Sequence, residues 1–235
     1  MQPSATTLNL ASIISHHARL TPTNEAVVWE DVRMTFGELD KWSNRIANAL
    51  VEMGIGHGDK VALCCPNLPC FPVVYYAIMK VGAVVVPLNV LFKPREIAYH
   101  LSDSDAKAVF VFEDVDDLPM AQYVKEGFDQ VSCRDLVVMT KDDETASPFS
   151  GYKILAQLTE GQRDDFEIFP TRPDDTCAIL YTSGIQFDSG RKMPFPSHLM
   201  TRWIGWPRLQ PSSIRTRSSW TTSPNPAGHR TNPIS

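Results

Sequence analysis

The segment Ala178-Ile179-Leu180-Tyr181-Thr182-Ser183-Gly184 runs from an apolar stretch into two hydroxyls and a glycine. A phosphate-binding turn begins in this way. The glycine lets the backbone approach an anion, while hydroxyls and free amides supply donors. Thr182, Ser183 and Gly184 are therefore the candidate phosphate-binding residues. As a bare pattern, an ordinary Ser/Thr/Gly turn after a strand reads the same.

Other chemistry-bearing residues have plainer readings. Cys64, Cys65, Cys70, Cys133 and Cys177 contain no C-x-x-C pair, so the paired spacing of a zinc site is missing. Cys64, Cys65 and Cys177 sit in apolar runs, as small hydrophobes do. Unpaired thiols suit a reducing compartment, and the cytoplasm is expected. Asp142-Asp143-Glu144 reads as a solvated loop, because adjacent carboxylates point apart. His16-His17 reads as surface and His57 as part of a turn, while Phe71, Tyr75 and Tyr76 fall at helical spacing and read as core.

The elements that must position the Thr-Ser-Gly turn alternate in type. Leu10, Ile13, Ile14 and Ala18 recur at helical spacing after Asn9, a competent N-cap. Residues 26–29 and 33–35 form a candidate hairpin. Thr35-Phe36-Gly37-Glu38 is a capping box opening a helix whose inner face carries Leu39, Trp42, Ile46, Leu50 and Met53. Gly54 and Gly56 stop it. Val61 to Cys65, Ala83 to Pro87, Ala108 to Phe112, Leu136 to Met139 and Thr176 to Tyr181 are strand candidates. Several are wholly apolar, as strands covered on both faces are. Helices are predicted from Pro69 to Gly82, from Pro94 to Leu101 and near Tyr152 to Leu158. This alternation predicts an α/β fold with a doubly wound, largely parallel sheet.

Val73 to Phe92 is long enough for a membrane span, yet Lys80, Gly82, Pro87 and Asn89 interrupt it where a helix, a turn and a buried strand would meet. No transmembrane segment is predicted. No basic start followed by an apolar core opens the chain, so no signal peptide is expected either.

Composition divides the 235 residues in two. Residues 1–184 hold 15 Lys and Arg against 26 Asp and Glu, whereas residues 185–235 hold 7 against 1. Seven of the 18 prolines fall in that second part. At 43% hydrophobic and 21% charged, the whole is neither disordered nor fibrous in composition.

Residues 8–184 resemble the N-terminal part of the adenylate-forming superfamily, the AMP-binding acyl-CoA synthetases and ligases. The likeness rests on five stretches in order: residues 34–39 (MTFGEL), 54–62 (GIGHGDKVA), 79–89 (MKVGAVVVPLN), 95–107 with Arg95-Glu96-Ile97 and Ser104-Asp105-Ala106-Lys107, and Asp174-Asp175-Thr176 leading into Tyr181-Thr182-Ser183-Gly184. Pro87-Leu88-Asn89 looks most like medium- to long-chain fatty acyl-CoA ligases. The fold implied is an incomplete N-terminal domain of the adenylate-forming fold. The activity implied is acid–CoA ligation, with a carboxylic acid, ATP, Mg²⁺ and coenzyme A as the small-molecule partners. A carboxylate attacks the α-phosphate of ATP to give an acyl-adenylate, and coenzyme A then displaces AMP. Thr182, Ser183 and Gly184 carry over by position as the start of the loop that holds the ATP phosphates.

The likeness ends there. The family loop continues with threonines, glycine, proline and lysine, whereas this chain reads Ile185-Gln186-Phe187-Asp188-Ser189-Gly190-Arg191-Lys192. Ile185 resists the positive φ that a glycine accepts, and Asp188 would face a triphosphate. Gly190 and Lys192 are at most a displaced remnant. Trp203, Trp206 and Trp220 lie among Ser, Arg and Pro without periodicity. The expected division is residues 1–184 as a partial AMP-binding domain and 185–235 as a disordered or out-of-frame tail. The family's C-terminal catalytic lysine is missing, no catalytic or metal-ligating residue is assigned, and the chain alone is expected to be inactive. The alternatives are a non-catalytic fragment that pairs with another chain, or a tail that contacts nucleic acid. Arg202, Arg208, Arg215 and Arg217 form no periodic stripe, so nucleic acid is not the expected partner.

Overall fold

The computed structural model describes residues 8–115, 117–142, 146–183 and 198–202, with side chains described only as far as Tyr181. The first helix, α1, spans Ser12–Leu20. Its cap differs from the expectation. Ala11 takes the N-cap position, and Asn9 is a buried clamp whose Nδ2 donates to the carbonyls of Met79 at 2.7 Å and Phe169 at 3.0 Å. Ile14 is buried while Ile13 and Leu10 are exposed, so the buried stripe is narrower than the spacing suggested.

The hairpin forms as expected, β1 (Glu25–Trp29) pairing antiparallel with β2 (Val32–Thr35). The capping box then opens α2 (Phe36–Glu52): the Thr35 hydroxyl accepts from the Glu38 amide, and the Glu38 carboxylate accepts from the Thr35 amide. Leu39, Ile46 and Leu50 are buried. Trp42, expected beside them, is 45% exposed, and Ser43 and Asn44 line the buried face instead.

The central sheet has β3 (Lys60–Cys64), β4 (Val84–Pro87), β5 (Ala106–Phe112) and β6 (Asp135–Met139). Its strands run parallel in the order β4-β3-β5-β6. Their apolar residues, among them Val61, Leu63, Val85, Val109, Phe110 and Val138, are fully buried. Each such side chain contributes about 1.5–3 kcal/mol on burial, which is why these runs specify interior strands. The connecting helices are α3 (Cys70–Lys80), α4 (Pro94–Asp103, with proline in its first turn) and α5 (Met120–Phe128). Right-handed crossovers from β3 out to β4 and back past β3 to β5 put α3 on one face of the sheet and α4 and α5 on the other. α2 packs with α3, and α4 with α5, as doubly wound architecture requires. The stretch with the length of a membrane span is thus the end of α3, a turn at Gly82, and β4. No helix among the described residues is long and apolar enough to cross a membrane.

The short α6 (Leu155–Thr159) and β7 (Ile179–Ser183) complete the body. β7 pairs antiparallel with β8 (His198–Arg202), a strand in the segment where sequence periodicity gave none. His16 and His17 are exposed, and Phe71, Tyr75 and Tyr76 pack partly buried against the core. His57 belongs to a structural turn: it stacks on Phe169 at 4.7 Å between centroids and meets Asp175 at 3.1 Å.

Candidate nucleotide-binding strand end

The carboxyl edge of a parallel sheet is where α/β folds bind ligands. β7 reaches that edge because its start is stitched to β4. Val85 and Ala178 form a parallel bridge, and the Val85 amide donates to the Cys177 carbonyl at 3.0 Å. Ala178 and Ile179 are buried, and burying them fixes which way the strand faces. The pairing carries Pro87-Leu88-Asn89 and the end of β7 toward the same edge of the sheet.

Tyr181 anchors the strand just before the candidate residues. Its hydroxyl donates to Asp103 Oδ2 at 2.7 Å, at the end of α4. Its ring meets the buried His100 edge-on at 4.2 Å between centroids, and His100 stacks on Phe92 at 4.5 Å. His100 Nδ1 lies 2.6 Å from the Glu96 carbonyl, which fixes the imidazole. Burial, reinforced by the Asp103 charge, pushes the Tyr181 phenol well above its ordinary range. The phenol therefore stays neutral and remains a donor at any physiological pH.

Of the three candidate residues, Thr182 and Ser183 occupy the last two positions of β7, opposite Leu199 and His198 of β8. Gly184 lies outside the described residues, as do Asp143 and Glu144 of the acidic run. The Tyr181–Asp103 clamp was not read from the sequence. Its only sequence trace is a tyrosine closing the aliphatic run Ala178 to Leu180, a ring whose hydroxyl calls for a partner.

A groove of about 750 Å³ opens elsewhere, between α1, α2 and the segment near Asp164, lined by Ser15, Arg19, Glu38, Asp40 and Lys41. It takes no residue from β7 and holds charges of both signs, so it is not the partner of the strand end. Among the described residues, no three His, Cys, Asp or Glu side chains gather as ligands for a metal ion. The Mg²⁺ that accompanies ATP in the resemblance has no protein cage among them, and no chemical step here depends on one.

Comparison with known proteins agrees with this geometry. A medium/long-chain-fatty-acid–CoA/3-oxocholest-4-en-26-oate–CoA ligase of Mycobacterium marinum is 28% identical over 187 residues, covering 77% of this chain and 32% of the relative. A long-chain-fatty-acid–CoA ligase of Mycobacterium tuberculosis is 30% identical over 178 residues, covering 75% of this chain and 33% of the relative. Among solved structures, an anthranilate CoA ligase in complex with anthranoyl-AMP aligns with TM-score 0.66 and 25% identity over 76% of this chain and 33% of that one. A benzoate CoA ligase from Burkholderia xenovorans aligns with TM-score 0.63 and 22% identity, over 74% of this chain and 32% of that one, a likeness of fold. The chain thus spans about a third of the length of these relatives. The profile described as AMP-binding enzyme matches residues 14–185, and the chain belongs to that family.

Proposed function

We propose that this chain is the N-terminal part of an ATP-dependent carboxylic acid–CoA ligase that works through an acyl-adenylate, with medium- to long-chain fatty acids as the acid. The observation that carries the proposal is the delivery of the Tyr181-Thr182-Ser183 strand end to the carboxyl edge of the sheet, beside β4. The ligase names of the curated relatives support the reaction class.

In the first step a carboxylate oxygen attacks the α-phosphorus of ATP. The bond to the bridging oxygen breaks, pyrophosphate leaves, and the acyl-adenylate forms. In the second, the coenzyme A thiolate attacks the acyl carbonyl and AMP departs. The role assigned to Thr182, Ser183 and Gly184 is to aim hydroxyl and amide donors at the phosphate oxygens as charge shifts toward pyrophosphate. Such donors act by fixed placement, so their value depends on the rigidity of the strand behind them. Tyr181 supplies that rigidity by holding Asp103.

The division after residue 184 is part of the same proposal. Ile185 and Phe187 stand where the family uses a flexible turn of threonines and glycine, and Asp188 adds a negative charge there. On this reading the 235 residues by themselves do not turn over, and they contact ATP only through the strand end. Purified chain should release no AMP and form no thioester with fatty acids of varied length. Equilibrium dialysis with radiolabelled ATP should show weak binding that is lost when Thr182→Ala and Ser183→Ala are combined. Clear thioester formation would overturn the inactivity, and ATP binding unchanged by the double substitution would overturn the site.

A further inference from the structure

At the carboxyl end of β3, two sulfurs that play no part in the ligase reading face each other. Cys65 immediately follows the strand and is buried, and Cys70 is the first residue of α3 and is partly exposed. Their Sγ atoms lie 3.5 Å apart across the turn formed by Pro66, Asn67, Leu68 and Pro69. A disulfide would close that gap to a bond of about 2.05 Å.

The two thiols are not equivalent. Cys70 stands at the start of α3, and its contact with the Cys65 sulfur is the chief influence holding its pKa below the ordinary 9.0 despite burial. The Cys65 thiol, in the same contact and buried, is pushed up. A nucleophile and a protonated resolving thiol therefore stand side by side. Burial pushes the Cys64 and Cys133 thiols each up to about 12.

We propose that Cys65 and Cys70 are an oxidisable dithiol, which hydroperoxides convert to an intramolecular disulfide across the β3–α3 turn. The Cys70 thiolate attacks one oxygen of hydrogen peroxide. The O–O bond breaks, hydroxide leaves, and Cys70 becomes a sulfenic acid. Cys65 sulfur then attacks the sulfenic sulfur, the S–O bond breaks, and water leaves with the proton that Cys65 gives up. Together two thiols lose two hydrogens, and one peroxide becomes two waters. The bridge closes the turn that leads from the central strand into α3, at the same edge of the sheet that β7 reaches. A thiol reductant reverses it by exchange through a mixed disulfide.

Selectivity is the testable consequence. Raising a thiol from 9.0 to about 12 cuts its thiolate fraction roughly a thousandfold, and higher intrinsic nucleophilicity returns only about thirtyfold, so Cys64 and Cys133 should react about thirtyfold more slowly than an ordinary thiol. The experiment takes the reduced full-length chain, freed of reductant, through a hydrogen peroxide time course with an iodoacetamide quench and peptide mapping. The first product expected is a Cys65–Cys70 linked species, two hydrogens lighter and restored by dithiothreitol. Cys65→Ser should leave a Cys70 sulfenic acid that dimedone traps, and Cys70→Ser should leave Cys65 unoxidised over the same interval. Far-UV circular dichroism of both variants checks that the fold is retained. Alkylation of both Cys65 and Cys70 after peroxide, or earlier oxidation at Cys64, Cys133 or Cys177, would overturn the proposal.

Discussion

Lys80 Nζ lies 2.7 Å from Asp40 Oδ1, and the Lys80 side chain is wholly buried. The ammonium also donates to Ser43 Oγ at 2.8 Å, to Asn44 Oδ1 at 2.6 Å and to the Asp40 carbonyl at 3.1 Å. The Ser15 hydroxyl donates to the same Asp40 carboxylate. One charge at the end of α3 thus ties together α1, α2 and α3. Two effects compete at the amine. Burial disfavours the charge and the Asp40 carboxylate favours it; burial wins, holding the Lys80 pKa below its ordinary 10.5.

Removing one partner leaves a buried charge uncompensated, which costs about 3–5 kcal/mol. Asp40→Ala should therefore lower unfolding stability by that amount in urea titrations. Lys80→Met should cost less, because the Asp40 carboxylate it leaves is 19% exposed and keeps the Ser15 hydroxyl as a donor. A milder loss in Asp40→Ala than in Lys80→Met would contradict this ordering.

The same pair gives a signed pH dependence. A lysine whose folded pKa lies below its unfolded value costs stability at low pH, where both states are protonated. That cost fades as pH rises from the folded pKa to 10.5, because the unfolded state there binds more protons. The stability of the chain relative to Lys80→Met should rise through this window. A difference that is flat or falling with pH would show that pairing, not burial, dominates.

Gly82 ends α3 with φ +75°, and a Cβ there would lie 2.7 Å from Phe169 Cδ1. Gly54 has nearly the same φ, +72°, with open space around it. The two positions separate backbone strain from collision. Gly54→Ala should cost about 1–2 kcal/mol from the left-handed conformation alone. Gly82→Ala should add about 1–3 kcal/mol of overpacking. Phe169→Leu should recover part of the added loss and none of the first. Equal losses at the two glycines in denaturation curves would disprove the contact.

These contacts show which parts of the molecule were legible in its residues. The parallel strands were, because runs such as Val61 to Leu63 and Ala108 to Val111 are buried on both faces and must be apolar throughout. The capping box was, because its partners are three residues apart. α5 was not. Its first-turn amides, at Ala121 and Gln122, are capped by Asp114, which lies outside the helix and beyond the reach of any local motif. Trp42 was assigned inward by helical counting, yet the inward positions beside it belong to Ser43 and Asn44, which serve Lys80. A polar residue on an inner face marks a buried charge elsewhere, and periodicity alone does not say where. At the strand end, Thr182 and Ser183 stood out by type, whereas the Tyr181–Asp103 clamp joins positions far apart in the chain.

Gly127 illustrates packing that opposes propensity. It lies within α5, where alanine would be favoured by about 1 kcal/mol. A Cβ there would sit 2.8 Å from both Ile97 Cγ2 and the Pro94 carbonyl on α4. The carbonyl is backbone and cannot turn aside. Gly127→Ala should therefore destabilise by about 1–3 kcal/mol despite the propensity gain. A stabilised variant in thermal unfolding would mean that α4 and α5 separate freely.

The start of α2 gives an acid-side counterpart to Lys80. The Thr35 amide and hydroxyl hold the Glu38 carboxyl below its ordinary 4.5, the amide contributing most. A carboxyl whose folded pKa is depressed adds stability that is complete above 4.5 and disappears as pH falls through the folded pKa. Glu38→Gln should keep the geometry of the box while removing that acid-dependent part, so its stability should fall less steeply below pH 4.5 than that of the unaltered chain. Thr35→Ala should cost about 1 kcal/mol at neutral pH from the lost cap. It should also flatten the acid limb, because the hydroxyl that helps to depress Glu38 is gone. Urea unfolding of both variants and their combination across the acid range separates the two effects. If Glu38→Gln retained the full acid slope, the charge at the helix start would contribute nothing to stability, and the box would act through hydrogen-bond geometry alone.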